Sequence, residues 1–239
     1  MPRFFTQDVD ETHGCITGAD AAHIARVLRM RPGDKLTVCD LAGSDYLCEI
    51  LSAAPDAVEL RVLEKRPTIA EPSVHVTLFQ GLPKADKMEL IVQKSVELGV
   101  SRVVPVLTAR CVSRPDRATL AKKTARWQKI AAEAAKQSGR GRLPVVGEAV
   151  DFSAAARELA GMERGVLFYE KGGDAHLGVW NGVREIGVCI GPEGGFADEE
   201  VALAGELGVR VCTLGPRILR TETAPLCVLS VIMYATGNL

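Results

Sequence analysis

A chain of 239 residues, 47% hydrophobic and 25% charged, has the balance of an ordinary globular protein. It is long enough to bury a sizeable core without disulfides or a structural metal, which excludes a disordered chain and a cysteine-stapled mini-protein. The formal net charge of -1 conceals an asymmetry: residues 84–142 carry 14 Lys+Arg against 5 Asp+Glu, so a cationic block sits in an otherwise acidic chain. A local basic surface of this kind suits a phosphate-backbone partner.

Residues 1–68 read as a small, mostly β unit. Short runs at Lys35–Cys39, Tyr46–Leu51 and Ala57–Leu63 are separated by turn signals at Arg31-Pro32-Gly33-Asp34 and Ala42-Gly43-Ser44. One helix is predicted to start with Asp20 as its N-cap and to carry His23 through Arg29. Lys65 through Pro72, with two prolines and three charges, reads as a linker.

From residue 73 to 239 strands and helices alternate. Strands are predicted at Val74–Phe79, Arg102–Leu107, Val166–Tyr169, Ile186–Ile190 and Arg210–Leu214. Helices are predicted over residues 85–98, where Met88, Ile91, Val92 and Val96 keep helical spacing, over about 117–137, from Asp198, and through Val228–Tyr234. Such alternation implies a mostly parallel sheet with helices on both faces, and ligands in these folds bind beyond the carboxyl ends of the strands. The rule points at the loops after Tyr169, Ile190 and Leu214. MPRFFTQDVD has no charged-then-apolar leader pattern, and no apolar run reaches the roughly 20 residues of a membrane span, so a cytoplasmic protein without a membrane partner is expected.

Seven cysteines are scattered without CxxC spacing, and four histidines form no HExxH pattern. The cysteines read as small buried hydrophobes, and no metal is expected. Chemistry concentrates elsewhere. Ile190-Gly191-Pro192-Glu193-Gly194-Gly195-Phe196 joins a buried strand to a helix, and its glycines allow sharp turns or close approach of a ligand. It is neither GxGxxG nor a P-loop, and the acidic helix start that follows argues against a phosphate cradle; on its own the loop is equally a structural turn. Leu214 through Pro225 likewise joins a strand to the last helix, with Arg217 and Arg220 flanking Ile218-Leu219, an apolar slot suited to a planar heterocycle beside an anionic polymer. Thr221 and Glu222 are open to a plainer reading, as a helix cap and a dipole partner. Lys84, Lys87 and Lys94, then Arg126, Lys129 and Lys136, mark two helices, and Gln137-Ser138-Gly139-Arg140-Gly141-Arg142 combines flexibility with charge suited to tracking a backbone.

Taken together these segments resemble the ribosomal RNA small subunit methyltransferase E family, of the SPOUT superfamily. The resemblance is carried by Arg126 through Ile130, Glu133 through Arg140, Ile190–Phe196 and Leu214–Ala224, with Lys84 through Glu89, Lys94 through Gly99, Pro2 through Phe5 and His23 through Asp34. It spans nearly the whole chain in order. Pro225-Leu226-Cys227 departs from the smaller residues expected there.

The resemblance implies an α/β fold: a small PUA-like β-barrel over residues 1–68, then a SPOUT methyltransferase domain over 73–239 with a C-terminal trefoil knot. It implies a homodimer that takes S-adenosyl-L-methionine and methylates N3 of a uridine in 16S rRNA of the small ribosomal subunit. Carried over by position, Glu170, Gly191, Gly195, Leu214, Ile218, Leu219 and Thr223 would hold the cofactor. Glu222 would take the N3 proton and Arg220 would stabilise the resulting anion. Arg3, Arg26, Arg29, Lys84, Lys87, Lys94, Arg126, Lys136 and Arg140 would hold RNA, so reversing Lys136 and Arg140 is expected to weaken RNA binding and flatten its salt dependence. Two other classes compete: a non-catalytic RNA-binding or ribosome assembly factor keeping the same fold, and a nucleotide-dependent oxidoreductase, which lacks its glycine fingerprint.

Overall fold

The computed structural model describes residues 1–173, 180 and 182–239. The chain divides into two compact units, Met1–Glu71 with Ala135–Leu143, and Pro72–Ala134 with Pro144–Leu239. The first is therefore discontinuous in sequence, a feature that a reading along the chain did not anticipate.

In the first unit, β1 (Arg3–Phe5), β2 (His13–Thr17), β3 (Lys35–Cys39), β4 (Ser44–Ala53) and β5 (Ala57–Pro67) form a sheet in the order β1-β3-β4-β5-β2. Only β1 and β3 run parallel. Alternation sets the buried face: Val58 and Leu60 of β5 point into a core with Leu36, Val38, Tyr46 and Ile50, while Glu59 and Arg61 point out. The ladder itself is open, a half-barrel rather than a closed barrel. Past the end of β1, the Thr6 hydroxyl donates to the Cys15 carbonyl at 2.9 Å and the Cys15 N–H donates to Asp8 at 2.8 Å, bridging towards β2.

Two expectations shift here. Strand β5 continues to Pro67, at the ladder's end where proline is tolerated, so the first part of the expected linker is strand. Helix α1 (Gly18–Ala22) takes Thr17 as N-cap and runs on as a π-helical turn, His23–Val27. Asp20 lies inside the first turn, where its carboxylate accepts the Lys136 ammonium at 2.9 Å instead of capping.

The second unit contains β6 (His75–Gly81), α2 (Lys87–Glu97), β7 (Arg102–Leu107) and α3 (Arg117–Ser138), whose residues from Ala135 count with the first unit. Then come β8 (Val145–Val146), β9 (Val150–Asp151), α4 (Phe152–Ala160), β10 (Arg164–Phe168), β11 (Glu185–Ile190), α5 (Asp198–Glu206), β12 (Arg210–Cys212) and α6 (Ala224–Ala235). All pairings are parallel, in the order β12-β10-β11-β6-β7-β8, with β9 also on β7. The central strands are covered on both faces, which is why Val76 through Gln80 and Ile186 through Ile190 are buried without alternation. The winding reverses between β6 and β11, the kind of switch point that leaves a crevice at the carboxyl ends of the strands.

Helix α4 was not foreseen. It buries Phe152, Ala155, Ala156 and Leu159 at helical spacing, but two of the four are alanines, so the periodic signal is weak in sequence. The Asp151 carboxylate caps it by accepting the Ala154 N–H at 2.7 Å. Strand β12 stops at Cys212, two residues earlier than expected, which releases Thr213 and Leu214 to a loop. Pro225, the departure noted in the sequence, fits the first turn of α6. Five of the seven cysteines are buried and two half-buried, and no disulfide forms. Among the described residues no helix is long and apolar enough to cross a membrane, and no cluster of His, Cys, Asp or Glu could hold a metal ion.

Candidate cofactor and active site

Three loops converge beyond the carboxyl ends of β10, β11 and β12 and enclose a cavity of about 510 Å3. The size is that of a small-molecule site, roughly 300–1,000 Å3. Glu170 comes from the first loop, Gly191 and Gly195 from the second, and Leu214, Ile218, Leu219 and Arg220 from the third; all line the cavity. Thr223 and Glu222 do not: Thr223 is the N-cap of α6, and Glu222 turns towards α2. Ile218 is 81% exposed, a large apolar side chain at the cavity that the described residues leave largely uncovered.

The loops need their glycines for identifiable reasons. Gly195 has φ +66°, and a Cβ added there would lie 2.6 Å from the Glu170 carboxylate. Gly81, the last residue of β6, is more tightly confined: its added Cβ would lie 2.5 Å from Cδ and 2.6 Å from N of Pro192. The strand end and the glycine loop are thus in backbone contact. Beside it, the fully buried Gln80 side-chain amide donates to the Thr221 hydroxyl at 3.1 Å, and that hydroxyl donates to the Gly191 carbonyl at 2.8 Å. Thr221 is therefore a tie between the second and third loops rather than a helix cap. Sequence reasoning passed over Gln80 and Gly81; the signal was present as a polar residue and a glycine directly after the apolar pair Leu78-Phe79.

The second loop is anchored into α5 from both sides. Glu200 accepts the Ala197 N–H at 2.9 Å and the Ala109 N–H at 2.8 Å, while Asp198 accepts the Tyr169 hydroxyl and the Lys171 ammonium. The hydrogen bond to Asp198 raises the Tyr169 phenol above its ordinary range. These acidic residues thus serve as fixed acceptors at a helix start, where negative charge is favoured.

At the edge of the cavity three charges meet. Lys87, in the first turn of α2, stands 3.2 Å from a Glu193 oxygen and 2.9 Å from a Glu222 oxygen. The Lys84 N–H also donates to Glu193. The bond to Lys87 holds the Glu222 carboxyl below the usual carboxylate range.

The cations expected to hold RNA have mostly other partners. Lys94 pairs with Glu97, Arg126 with Glu89, and Lys136 with Asp20. Arg3 forms a two-point pair with Asp45 at 2.8 and 2.7 Å and also donates to the Arg140 carbonyl. Arg140 is the clearest correction. It is 3% exposed, with Nε and Nη2 each 2.9 Å from the Glu71 carboxylate, so its charge is consumed inside the first unit and cannot track a phosphate backbone. Arg26, Arg29 and Lys84 have exposed side chains that form no ion pair among the described residues.

Residues 70–233 match the RNA methyltransferase domain family and residues 16–63 the RNA methyltransferase PUA domain. The fold and the site thus define the class, an RNA methyltransferase with an attached PUA domain. The chain is 37% identical to the ribosomal RNA small subunit methyltransferase E of Bacillus subtilis over 99% of its own length and 97% of that protein's. Among solved structures, the Neisseria gonorrhoeae ribosomal RNA small subunit methyltransferase E bound to S-adenosyl methionine superposes with a TM-score of 0.86 at 30% identity, covering 99% of this chain and 98% of the other. A Legionella pneumophila methyltransferase in complex with SAM gives 0.86 at 30% identity, covering 98% and 97%. The chain belongs to the ribosomal RNA small subunit methyltransferase E family.

Proposed function

We propose that this chain methylates N3 of a uridine in the 16S rRNA of the small ribosomal subunit, using S-adenosyl-L-methionine. The carrying observation is the cavity of about 510 Å3 formed by three loops at the carboxyl ends of parallel strands, in a chain whose relatives of the same fold bind that cofactor. The residues present fit the group. Exposed Ile218 with half-buried Leu214 and Leu219 offers an apolar face for a heterocycle, and Gly191 and Gly195 let the second loop fold tightly on itself and against Glu170 at the cavity wall. Glu170 completes the lining, while Thr223 lies outside it as the N-cap of α6. When bound, the cofactor supplies an electrophilic methyl group.

The chain's own residues then have to bring the base to that group and manage one proton. Uracil N3 carries a proton and is a poor nucleophile until it leaves. In this reading Glu222, paired with Lys87 beside the cavity-lining Glu193, would accept it, and Arg220 on the cavity wall would stabilise the negative charge left on the flanking carbonyl oxygens. A base within folded RNA must be unstacked to reach such a pocket. This reading also includes a SPOUT trefoil knot at the C-terminal loops and assembly as a cytoplasmic homodimer.

The direct test is incubation with methyl-labelled cofactor and small ribosomal subunits, with the labelled nucleoside identified by mass. Label in 3-methyluridine is expected. Binding of the cofactor without transfer to any RNA would favour an assembly factor with a retained pocket. For RNA contact, the exposed cations Arg26 and Arg29 replace the buried Arg140 as candidates. Reversing both to Glu is expected to weaken RNA binding and to lower the slope of log affinity against log salt by about one to two, at roughly 0.9 per phosphate contact. An unchanged slope would place the RNA elsewhere.

A further inference from the structure

We propose that Lys87 is a positioning residue for this reaction: its ammonium holds the Glu222 carboxylate at the edge of the cavity and locks it to Glu193 of the glycine loop. The inference rests on the reading of Glu222 as the proton acceptor. Its basis is the meeting of three segments at one nitrogen, with α2, the loop after β11 and the loop before α6 each contributing one charge. The carboxylates are only 22% and 26% exposed at their side chains, so water screens the cluster less than it would a surface pair. Glu193 is fixed a second time by the Lys84 N–H, which makes it a rigid counterweight rather than a mobile partner.

This arrangement removes Lys87 from the RNA-binding set. An ammonium offers three N–H donors, and two carboxylates already stand within 3.2 Å of this one. The cluster as a whole carries one excess negative charge, which repels a phosphate. What Lys87 does instead is orient Glu222 and keep it ionised. The charged groups that face Glu222 are Lys87 from α2 and Arg220 from its own loop, with Glu193 reached through Lys87. The pairing lowers the Glu222 pKa, so a variant lacking the ammonium should ionise at higher pH.

The test compares the parent with Lys87→Met and Lys87→Arg by three measurements. They are carbon NMR titration of the Glu222 carboxylate, the pH profile of single-turnover methylation on small subunits, and the salt slope of RNA binding. Lys87→Met is expected to move the Glu222 titration and the acidic limb of the rate profile to higher pH. It should also lower the neutral-pH rate about 10-fold or more, below the roughly 100-fold or larger effect of losing a general base outright. Its salt slope should match the parent's, and Lys87→Arg should recover most of the rate. A slope lower by about one with both pH profiles in place would make Lys87 a phosphate contact and overturn the proposal. So would a Glu222 titration that does not move. A parent that methylates nothing defeats the reading of the previous section, while the Glu222 titration, which needs no turnover, still decides whether the clamp exists.

Discussion

Gly81→Ala is expected to reduce cofactor affinity about 100-fold, although residue 81 lies at the end of a strand and contributes no side chain to the cavity. Carbon atoms pack at about 3.5–4.0 Å. The new methyl would stand 2.5 Å from Pro192 Cδ, 2.6 Å from its nitrogen and 3.0 Å from the Gly191 carbonyl carbon. None of these atoms is the free end of a flexible chain, so relief requires the glycine loop to move by about 1 Å, a displacement that typically costs about 100-fold at a site. The loop is not free to yield alone, because the Gly191 carbonyl is tied through Thr221 to the buried Gln80 amide. Overpacking of this kind costs about 1–3 kcal/mol of stability, which leaves a folded protein to measure. Calorimetry with S-adenosyl-L-methionine, alongside urea denaturation, checks both numbers. A stable Gly81→Ala protein with parental affinity would mean that strand β6 does not set the position of the loop. Gly195→Ala serves as a contrast: its methyl meets the movable end of Glu170, so the main cost is the left-handed backbone at φ +66°.

The contrast between these two glycines bears on what was legible in the sequence. Gly195 stands in a conspicuous cluster between a buried strand and an acidic helix start, so the three loops of the cavity could be named before any coordinates. The parallel sheet was legible from the alternation of strands and helices after residue 73. Gly81 meets Pro192 and Gly191, and Gln80 reaches Gly191 and Thr221 across 111 and 141 residues of chain, and no local pattern encodes those contacts. Glu222 was readable as a carboxylate near the site, but its pairing with Lys87 belongs to the fold. The basic block misled most. A count of charges does not register the acids that each cation meets: Glu97 for Lys94, Glu89 for Arg126, Asp20 for Lys136 and Glu71 for Arg140. The three last partners lie 37, 116 and 69 residues away, beyond any helical spacing.

The Glu71–Arg140 pair gives the second large effect, and it falls on stability. Glu71 accepts two bonds from the Arg140 guanidinium at 2.9 Å and two more from the Gly141 and Arg142 N–H groups at 2.8 and 3.1 Å, and thereby closes residues 135–143 onto the first unit. Burial pushes the Glu71 carboxyl upward, but Arg140 and the two backbone donors outweigh it, and its pKa ends below the usual carboxylate value. A carboxyl lowered by folding stabilises the native state above its unfolded pKa, and that contribution fades as pH falls through the native value. Glu71→Gln should therefore cost about 3–5 kcal/mol at pH 7, because it strands a guanidinium that is 3% exposed. The gap between variant and parent in urea denaturation should shrink as the pH is lowered below about 4. Replacing both residues by Met should restore only part of the loss, since an apolar pair leaves no buried charge but strands the Gly141 and Arg142 N–H groups. The pair is structural if Arg140→Met destabilises the protein while the salt slope of RNA binding, measured well below the unfolding range, stays at the parental value. An Arg140→Met protein of full stability whose slope has dropped by about one would instead return Arg140 to the RNA surface, and with it the first reading of the basic block.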